Sequence, residues 1–331
     1  MRTGEAVGRK PRPTRGSALL AVLWLAAALA AIAFALATTV HSETEREANA
    51  VDGLRAYYVA RGAVERAAVE VLWSVLYPGK RPLPDGVTQV DYDFPGGVAR
   101  VEIIPETARL NVNLATPAEL YRLMIAMGLE PNRAQEIAKA IDDWRRPVEN
   151  SDLDQYYSSL APSFRAPHAS IQEIEELLLV KGVTPDIFYG TYVPAPEGSE
   201  GPRLVPREGL ANCLSVFGAR DRVDANTAPP AVLAAVGLEP YAIAELVQRR
   251  REKPLSQNEL YPFLVSVGAP ADRLRVQGNS ILTIRATARP RLPNGALADL
   301  RRTVAAQVKY MPPGYDSKIH ILRWYDAAWS N

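Results

Sequence analysis

An uncharged segment near the amino terminus constrains this chain more than any other feature. Ser17 to Ala37 runs for 21 residues without a charged side chain. At about 1.5 Å of rise per residue, a helix of this length spans about 30 Å, the hydrocarbon thickness of a bilayer. The preceding 16 residues carry five arginines or lysines against one acid, Glu5. This bias predicts a single membrane span with a cytoplasmic amino terminus and the rest of the chain across the membrane.

Three interpretations of the apolar segment differ in what happens to it after synthesis. A secretory signal peptide is removed at a small-residue site, and the Ala-Leu-Ala triplet at 35–37 offers one. A plain signal anchor stays in the membrane. The third interpretation joins the basic leader to Gly16 and continues the helix beyond the membrane. No proline occurs over 14–77, and apolar residues keep helical spacing as far as Val75, so the third interpretation is favoured.

The basic leader, Gly16 and the retained helix together resemble the type IV prepilin class, whose leader is removed after a glycine by prepilin peptidase. The resemblance implies cleavage between Gly16 and Ser17. Most members have a glutamate as the fifth mature residue, where this chain has Ala21. An unpaired charge in an apolar helix bundle is costly, so that glutamate faces a neighbour's amino terminus. A subunit without it, as in the minor pseudopilin K family of type II secretion systems, is expected at a filament tip.

Charge and cysteine content narrow the chemistry of the rest of the chain. The formal net charge is +1, and without the basic leader it falls to about −3, which argues against nucleic acid as a partner. Cys213 is the only cysteine, so we expect no internal disulfide and a small buried side chain. Three histidines lie far apart in sequence, and each is expected to be exposed or capping: His41, His168 and His320. Since no common catalytic motif occurs, we expect no enzymatic activity.

Strand signals flank a long region in which helical signals dominate. Alternating apolar residues around a Pro-Gly-Gly turn predict a hairpin near 90–103, and strands return at 281–288, 304–310 and 319–324. We therefore expect an α+β fold, in which a long amino-terminal helix packs on a small antiparallel, pilin-like sheet that carries a large inserted all-helical domain. The expected segments are a leader at 1–16, a transmembrane helix at 17–40, an amphipathic helix with the first strands at 41–105, the insert at 106–278 and the last strands at 279–331.

The predicted insert contains two copies of one pattern. RLNVNLATPAEL at 109–120 precedes a Gly-Leu-Glu-Pro turn at 128–131, and RVDANTAPPAVL at 222–233 precedes the same turn at 237–240. Gly182 begins a third, weaker turn, and 194–209 is expected to be an exposed loop. Each unit predicts helix, glycine turn and helix. Capping boxes support three helix starts, pairing Thr116 with Glu119, Ser170 with Glu173, and Ser256 with Glu259.

This pattern resembles the helix-hairpin-helix (SAM-like) module, in which backbone amides of the turn reach a DNA phosphate. A membrane-anchored DNA-binding or uptake protein is therefore the alternative function. The turns oppose it, because Glu130 and Glu239 are each followed by a proline that has no amide hydrogen to donate. Residues 106–200 carry eight basic and fifteen acidic side chains, so counterion release would not drive binding there. We interpret the repeats as a protein-docking scaffold.

An acidic loop follows the first repeat. The run from Ala140-Ile-Asp-Asp-Trp through a Tyr-Tyr pair at 156–157 to Val-Lys-Gly at 180–182, together with the Asn-Val-Asn and Asp-Ala-Asn repeats, resembles the minor pseudopilin K family. In that family the acidic loop can hold calcium, which takes six to eight oxygen ligands. The resemblance implies Asp152 and Asp154 as the first ligands, with Asp143 and Glu149 as helpers.

One position in the loop departs from the family pattern. The family usually places a glutamate just before the last aspartate, where this chain has Leu153. A solvated acidic loop without metal is therefore the alternative to a calcium site.

The resemblance implies a non-enzymatic minor pseudopilin that forms or initiates the tip of a periplasmic pseudopilus. It also implies a single-pass inner-membrane protein with its carboxy-terminal domain in the periplasm. The partners that it implies are minor pseudopilins of the I and J types, other pseudopilins, the inner-membrane secretion assembly and prepilin peptidase.

Overall fold

The computed structural model describes residues 15–77, 80, 82–83, 87–195, 203–270, 272–276, 280–311 and 314–328. Most of the leader expected at 1–16, and the centre of the loop expected at 194–209, lie outside these residues. The chain divides into two units, Met1–Arg55 and Ala56–Asn331.

The α-helices are α1 (Arg15–Leu76), α2 (Pro117–Ala126), α3 (Pro131–Arg145), α4 (Asp154–Ser158), α5 (Pro185–Tyr189), α6 (Leu210–Cys213), α7 (Pro230–Ala235), α8 (Pro240–Glu252) and α9 (Gln257–Ser266). Short 3-10 helices cover Glu106–Ala108 and Ile174–Leu179. The strands are β1 (Gln89–Phe94), β2 (Gly97–Pro105), β3 (Leu110–Asn111), β4 (Thr191–Pro194), β5 (Leu204–Arg207), β6 (Leu214–Ser215), β7 (Val223–Asp224), β8 (Leu274–Arg275), β9 (Ile281–Pro290), β10 (Arg302–Tyr310) and β11 (Ile319–Tyr325).

The first unit contains the apolar part of α1. Residues 18–37 are all exposed, and they include large side chains such as Trp24 and Phe34, which are 75% and 73% exposed. Among the described helices, one is long and apolar enough to cross a membrane, over Ala18–Ser74. Large apolar side chains that are fully exposed along a helix require an apolar surrounding, which fits the predicted membrane span.

The second unit contains a five-stranded antiparallel sheet in the order β1-β2-β9-β10-β11. The last part of α1 packs on it through small side chains, which allow a close approach of helix and sheet: Ala60, Ala63, Val64 and Ala67. Facing them in the same core are Val101, Ile284 and Ala306. The expected combination of a long amino-terminal apolar helix, an antiparallel sheet and further helices is confirmed, and the strands lie within a few residues of their predicted positions.

The sheet is interrupted in sequence but continuous in space. Strand β2 ends at Pro105, which is paired with Leu282 of β9. The register then runs along both strands to Gly97 opposite Pro290. The chain therefore leaves the sheet at one end and returns beside its point of departure, after a segment that builds its own hydrophobic core.

The expectation of an all-helical insert is wrong. Three strand pairs lie between β2 and β9: β3 with β6, β4 with β5, and β7 with β8. The residues that open each repeat are extended because their helices begin only at Pro117 and Pro230. Their buried backbone groups must still be paired, and the parallel contacts of β3 with β6 and of β7 with β8 pair them.

Each repeat forms a helix, a glycine turn and a second helix. Gly128 and Gly237 end the first helix with φ of 82° and 98°, a conformation that glycine adopts without steric cost. The amide of the next residue then donates back to the last helical turn, from Leu129 to Met124 and from Leu238 to Leu233. Helices α2 and α7 pack against each other, so the two repeats share one core.

The capping boxes at Thr116/Glu119 and Ser256/Glu259 are confirmed, and the box predicted at Ser170 and Glu173 is wrong. In the structure Glu173 itself is the cap and pairs with Glu176. The 3-10 helix begins only at Ile174, after an extended Glu173, and the backbone N–H and carbonyl of Ile171 ahead of it are bonded to the side chain of Asn113.

Candidate functional site: the acidic loop and the frame that carries it

The same side-chain contacts close both repeats. The amide of Asn113 donates to the carbonyl of Ile171 at 2.9 Å and accepts from its backbone N–H at 2.8 Å. Asn226 makes the equivalent pair of bonds with Leu255, also at 2.9 and 2.8 Å. Each asparagine therefore fastens the start of its repeat to the segment that follows the second helix.

In each repeat, an arginine near the end of the second helix adds further contacts to those of the asparagine. Arg145 donates to the carbonyls of Val112 and Ala115 and forms an ion pair with Asp142 at 2.7 Å. Arg250 donates to the carbonyls at the equivalent positions of its own repeat, residues 225 and 228, at 3.2 and 2.7 Å. These carbonyls lie ahead of the first helix, where a side-chain donor satisfies them. We call the asparagine and arginine contacts of each repeat the frame.

The acidic loop lies between two fixed points of the first frame. Arg145 and Ile171 are 26 positions apart, whereas Arg250 and Leu255 are 5 positions apart. Because the frame contacts are the same, residues 146–170 form an insertion into a repeated design. All four predicted calcium ligands lie in this insertion or at the end of α3.

The structure separates the four predicted ligands into two groups. Asp143 is partly buried, and Asp154 Oδ1 lies 3.0 Å from Nε2 of His168 although the Asp154 side chain is 41% exposed. The other imidazole nitrogen, Nδ1, lies 3.0 Å from the backbone carbonyl of Asp143. The fold therefore splits the predicted set differently. Asp143 and Asp154 are joined through His168, whereas Asp152 and Glu149 are exposed.

Ser151 joins the carboxylates of Asp143 and Asp154. Its hydroxyl donates to Asp143 Oδ1 at 2.7 Å, and its backbone N–H donates to Asp154 Oδ2 at 3.4 Å. The same hydroxyl accepts from the N–H of Leu153 at 3.0 Å, and the Leu153 side chain packs against the core of the insert. The position where the family pattern has a glutamate is therefore turned inward here and offers no oxygen.

Within the described parts of the chain, no group of three or more histidine, cysteine, aspartate or glutamate side chains is placed to hold a metal. Calcium needs six to eight oxygens at about 2.3–2.6 Å. In this arrangement Asp154 and Asp143 are bonded to His168 and Ser151, while Glu149 and Asp152 are exposed, Asp152 at a cavity that Asp143 also lines. The residues as placed do not fit the calcium ion that the family resemblance implies.

Of the two roles expected for His168, exposed or capping, the exposed one is wrong and the capping one is confirmed, because Nδ1 contacts the Asp143 carbonyl in the last turn of α3. The side chain of His168 is 12% exposed, and its pKa is raised chiefly because Asp154 accepts a hydrogen bond from it. In turn the imidazole lowers the pKa of Asp154. Its backbone adopts φ of 44°, a left-handed conformation that is rare for residues other than glycine. No sequence signal marks this residue, because its partners lie 14 and 25 positions away on two other helices, and His168 itself lies outside any helix or strand.

Aromatic side chains support the inner side of the loop. Tyr157 is fully buried, and its ring centroid lies 5.4 Å from that of Trp144 and 5.3 Å from that of Phe164. Its hydroxyl accepts from the N–H of Lys181 at 3.2 Å. The Tyr-Tyr pair that carried part of the family resemblance is thus a packing element that ties the loop to the Val-Lys-Gly turn.

A second feature lies on α1 within the second unit. On the side of the helix turned away from the sheet, four large apolar or aromatic side chains are between 43% and 59% exposed: Tyr58, Val69, Trp73 and Leu76. Ion pairs such as Arg61 with Glu65 lie between them. Below, these four residues are called the outer stripe of α1.

The fold and these sites define an α+β protein with a membrane-length amino-terminal helix and a helical insert closed by polar frames. Comparison with known proteins gives three findings. Residues 106–190 match the model of the family described as type II secretion system (T2SS), protein K. The chain is 27% identical over 194 residues to type II secretion system protein K of Klebsiella pneumoniae, covering 53% of this chain and 60% of that protein.

The third finding concerns a solved structure. The fold is similar to a chain in the crystal structure of the GspK–GspI–GspJ complex from the type 2 secretion system of enterotoxigenic Escherichia coli, with a TM-score of 0.54 and 15% identity. The match covers 88% of this chain and 99% of that one. Residues 106–190 therefore match a protein K domain, and the solved structure shows a similar fold for most of the chain.

Proposed function

We propose that this chain is a minor pseudopilin of a type II secretion system, the K-type subunit at the tip of a periplasmic pseudopilus. The observation that carries the proposal is the combination of the exposed apolar helix with a protein K domain set into an antiparallel sheet. In this role the protein binds other subunits and carries out no chemical step.

The apolar helix supplies the first part of the argument. Its exposed side chains over 18–37 fit a membrane before assembly and a bundle of neighbouring helices afterwards. We infer that the outer stripe of α1, within the second unit, offers an apolar surface to a subunit packed beside it. Ala21 places no charge in that bundle, which suits a terminal subunit that has no neighbour ahead of it.

The insert supplies the second part. About half of the chain lies between β2 and β9, and it leaves the sheet at one end of both strands. We infer that a domain of this size on every subunit would obstruct close packing in a shaft, whereas a terminal subunit has free space around it. The minor pseudopilins of the I and J types are the partners we propose, because the similar structure is a complex with GspI and GspJ.

Processing of the amino terminus tests the proposal directly. The membrane-extracted protein, sequenced from its amino terminus, should begin at Ser17 when prepilin peptidase is present. Gly16→Leu should leave the leader attached, whereas the matched control Ala35→Leu, at the signal-peptide alternative, should be processed normally. A product that begins at Thr38 would instead identify an ordinary secreted protein.

The DNA-binding alternative has its own test. The carboxylate of Glu130 accepts a hydrogen bond from the backbone N–H of Arg133 at 3.1 Å and so caps the start of α3. This N–H is therefore not free to donate to a DNA phosphate. We expect no retardation of duplex DNA by the detergent-solubilised protein at low salt. Retardation that weakens steeply with added salt would support the DNA-uptake function instead.

A further inference from the structure

We propose that a clasp made by His168 closes the acidic loop in this chain and takes the place of the calcium ion that the family resemblance implies. The clasp consists of His168 with its two acceptors, Asp154 Oδ1 and the backbone carbonyl of Asp143, and of Ser151, which joins the two acids. The inference concerns how the loop is held and is independent of the position of the protein in a filament.

The chemistry of the two acceptors defines the state of the imidazole. A backbone carbonyl only accepts hydrogen bonds, and so does the Asp154 carboxylate when it is ionised, so in that state both nitrogens of His168 donate. An imidazole that donates from both nitrogens is a cation. Through these two contacts the ring joins the end of α3 to the start of α4.

Three of the four carboxylate oxygens of Asp143 and Asp154 are bonded to His168 or Ser151, and Asp143 Oδ2 has no hydrogen-bond partner among the described residues. Ser151 donates to Asp143 Oδ1 and to Asp154 Oδ2, and Leu153 offers an apolar side chain in place of a carboxylate. Asp143 Oδ2 is buried 3.9 Å from His168 Nδ1, within reach of the charge on the ring. A cation entering this space would have to displace the imidazole and separate Ser151 from both acids.

The second repeat shows that the frame needs no metal. Asn226 and Arg250 close it across a connection of 5 positions with the same contacts that Asn113 and Arg145 make. Only the additional residues at 146–170 need their own closure, and His168 provides it from a left-handed backbone conformation. A strained conformation persists where surrounding contacts over-determine it, and the two bonds of the imidazole are such contacts.

The experiment uses the full chain in detergent micelles and compares thermal unfolding in EGTA with unfolding in 1 mM calcium chloride. The wild-type midpoint should be the same in both. His168→Ala should lower it by about 3 °C or more in both solutions, and calcium should not restore it. The matched control is His320→Ala, which removes an exposed histidine and should leave the midpoint unchanged.

A local measurement covers the case in which a variant unfolds too readily for a clean midpoint. Arg165 lies in the loop, is exposed and precedes an alanine, so trypsin cleavage after it reports on loop closure. Cleavage after Arg165 should be several times faster in His168→Ala and in Asp154→Asn than in the wild type, and no faster still in the double variant. His168→Asn, which tolerates a left-handed backbone but carries no charge, should resemble His168→Ala.

Two results would overturn the clasp. A wild-type midpoint or cleavage rate that responds to calcium, and stops responding in Asp154→Asn or Asp152→Asn, would show that the loop holds the metal after all. Equal behaviour of His168→Ala and His320→Ala in both measurements would show that the imidazole does not hold the loop. Neither result would bear on leader processing, which tests the proposed function separately.

Discussion

The two repeats of the insert form the same frame contacts and glycine turn with helices of different length. From the first helical proline to the glycine, the first repeat takes 11 positions (Pro117 to Gly128) and the second takes 7 (Pro230 to Gly237). From the next proline to the frame arginine, the first takes 14 positions and the second 10. Each arm of the first hairpin is longer by about one helical turn, so the arginine still reaches the same two carbonyls.

This comparison shows what the fold holds fixed. Both repeats keep the asparagine, the arginine and the glycine turn, whereas helix length and the connection after the second helix vary. The acidic loop could be added because both of its ends were already fastened. A loop that begins and ends on fixed points needs only local closure, because its length adds little entropic cost to a frame that is already stable.

The arginines provide the largest expected effect. Arg145→Met should lower the free energy of unfolding by about 3 kcal/mol, because the side chain is 5% exposed and its loss leaves two carbonyls without their donor and Asp142 without its buried ion-pair partner. Arg250→Met should cost about 2 kcal/mol through its two carbonyls. Denaturant titration of the detergent-solubilised chain, followed by tryptophan fluorescence, measures both.

The neighbouring Arg146 is the matched control for this pair. It also contacts Asp142, at 3.0 Å, but its side chain is 60% exposed. Arg146→Met should therefore cost less than about 1 kcal/mol. If Arg146→Met proved as costly as Arg145→Met, burial of the frame arginine would not be what stabilises the first repeat.

The asparagines test whether the two frames are equivalent. Asn113→Ala and Asn226→Ala each remove two bonds to one backbone residue, and each should cost about 2 kcal/mol. The same titration should give similar values for the two variants. If Asn226→Ala left the free energy of unfolding unchanged while Asn113→Ala lowered it, the second repeat would be held by its helices alone. The two frames would then not be equivalent.

A smaller effect depends on pH and belongs to the first repeat alone. Burial opposes ionisation of Glu119, but the backbone N–H and hydroxyl of Thr116 and the guanidinium of Arg273 together lower its pKa below the ordinary 4.5. A lowered pKa stabilises the folded chain above pH 4.5, and this contribution disappears as the pH falls toward the shifted value. The second repeat has Pro229 and Val232 at the equivalent positions, so it has no such group.

The expected result is a pH-dependent difference between wild type and Glu119→Gln. The variant should be less stable by about 1 kcal/mol at pH 7, and the difference should shrink as the pH falls below 4.5. Free energies of unfolding measured from pH 3.5 to 7 would show it. Glu136→Gln, on the exposed face of α3, is the control and should follow the wild type at every pH.

Much of the fold was predictable because local sequence patterns determine it. The hairpin of β1 and β2, the strands β9 to β11 and the glycine turns follow from residue spacing within about ten positions. The parallel pairs were missed because each joins two extended residues that lie far apart in sequence, as Leu110 and Leu214 do. Two-residue strands carry no periodicity, so only the need to pair buried backbone groups creates them.

The sequence by itself determined the apolar helix, the α+β class and the two repeats, because charge, alternation and turn residues act on their near neighbours. Only the tertiary structure decided how the acidic loop is arranged. Side chains of one chemical type can bind a metal, face solvent or accept hydrogen bonds, and the choice depends on which donor the fold brings within about 3 Å. Here that donor is His168, a residue that sequence spacing gave no reason to connect with Asp154.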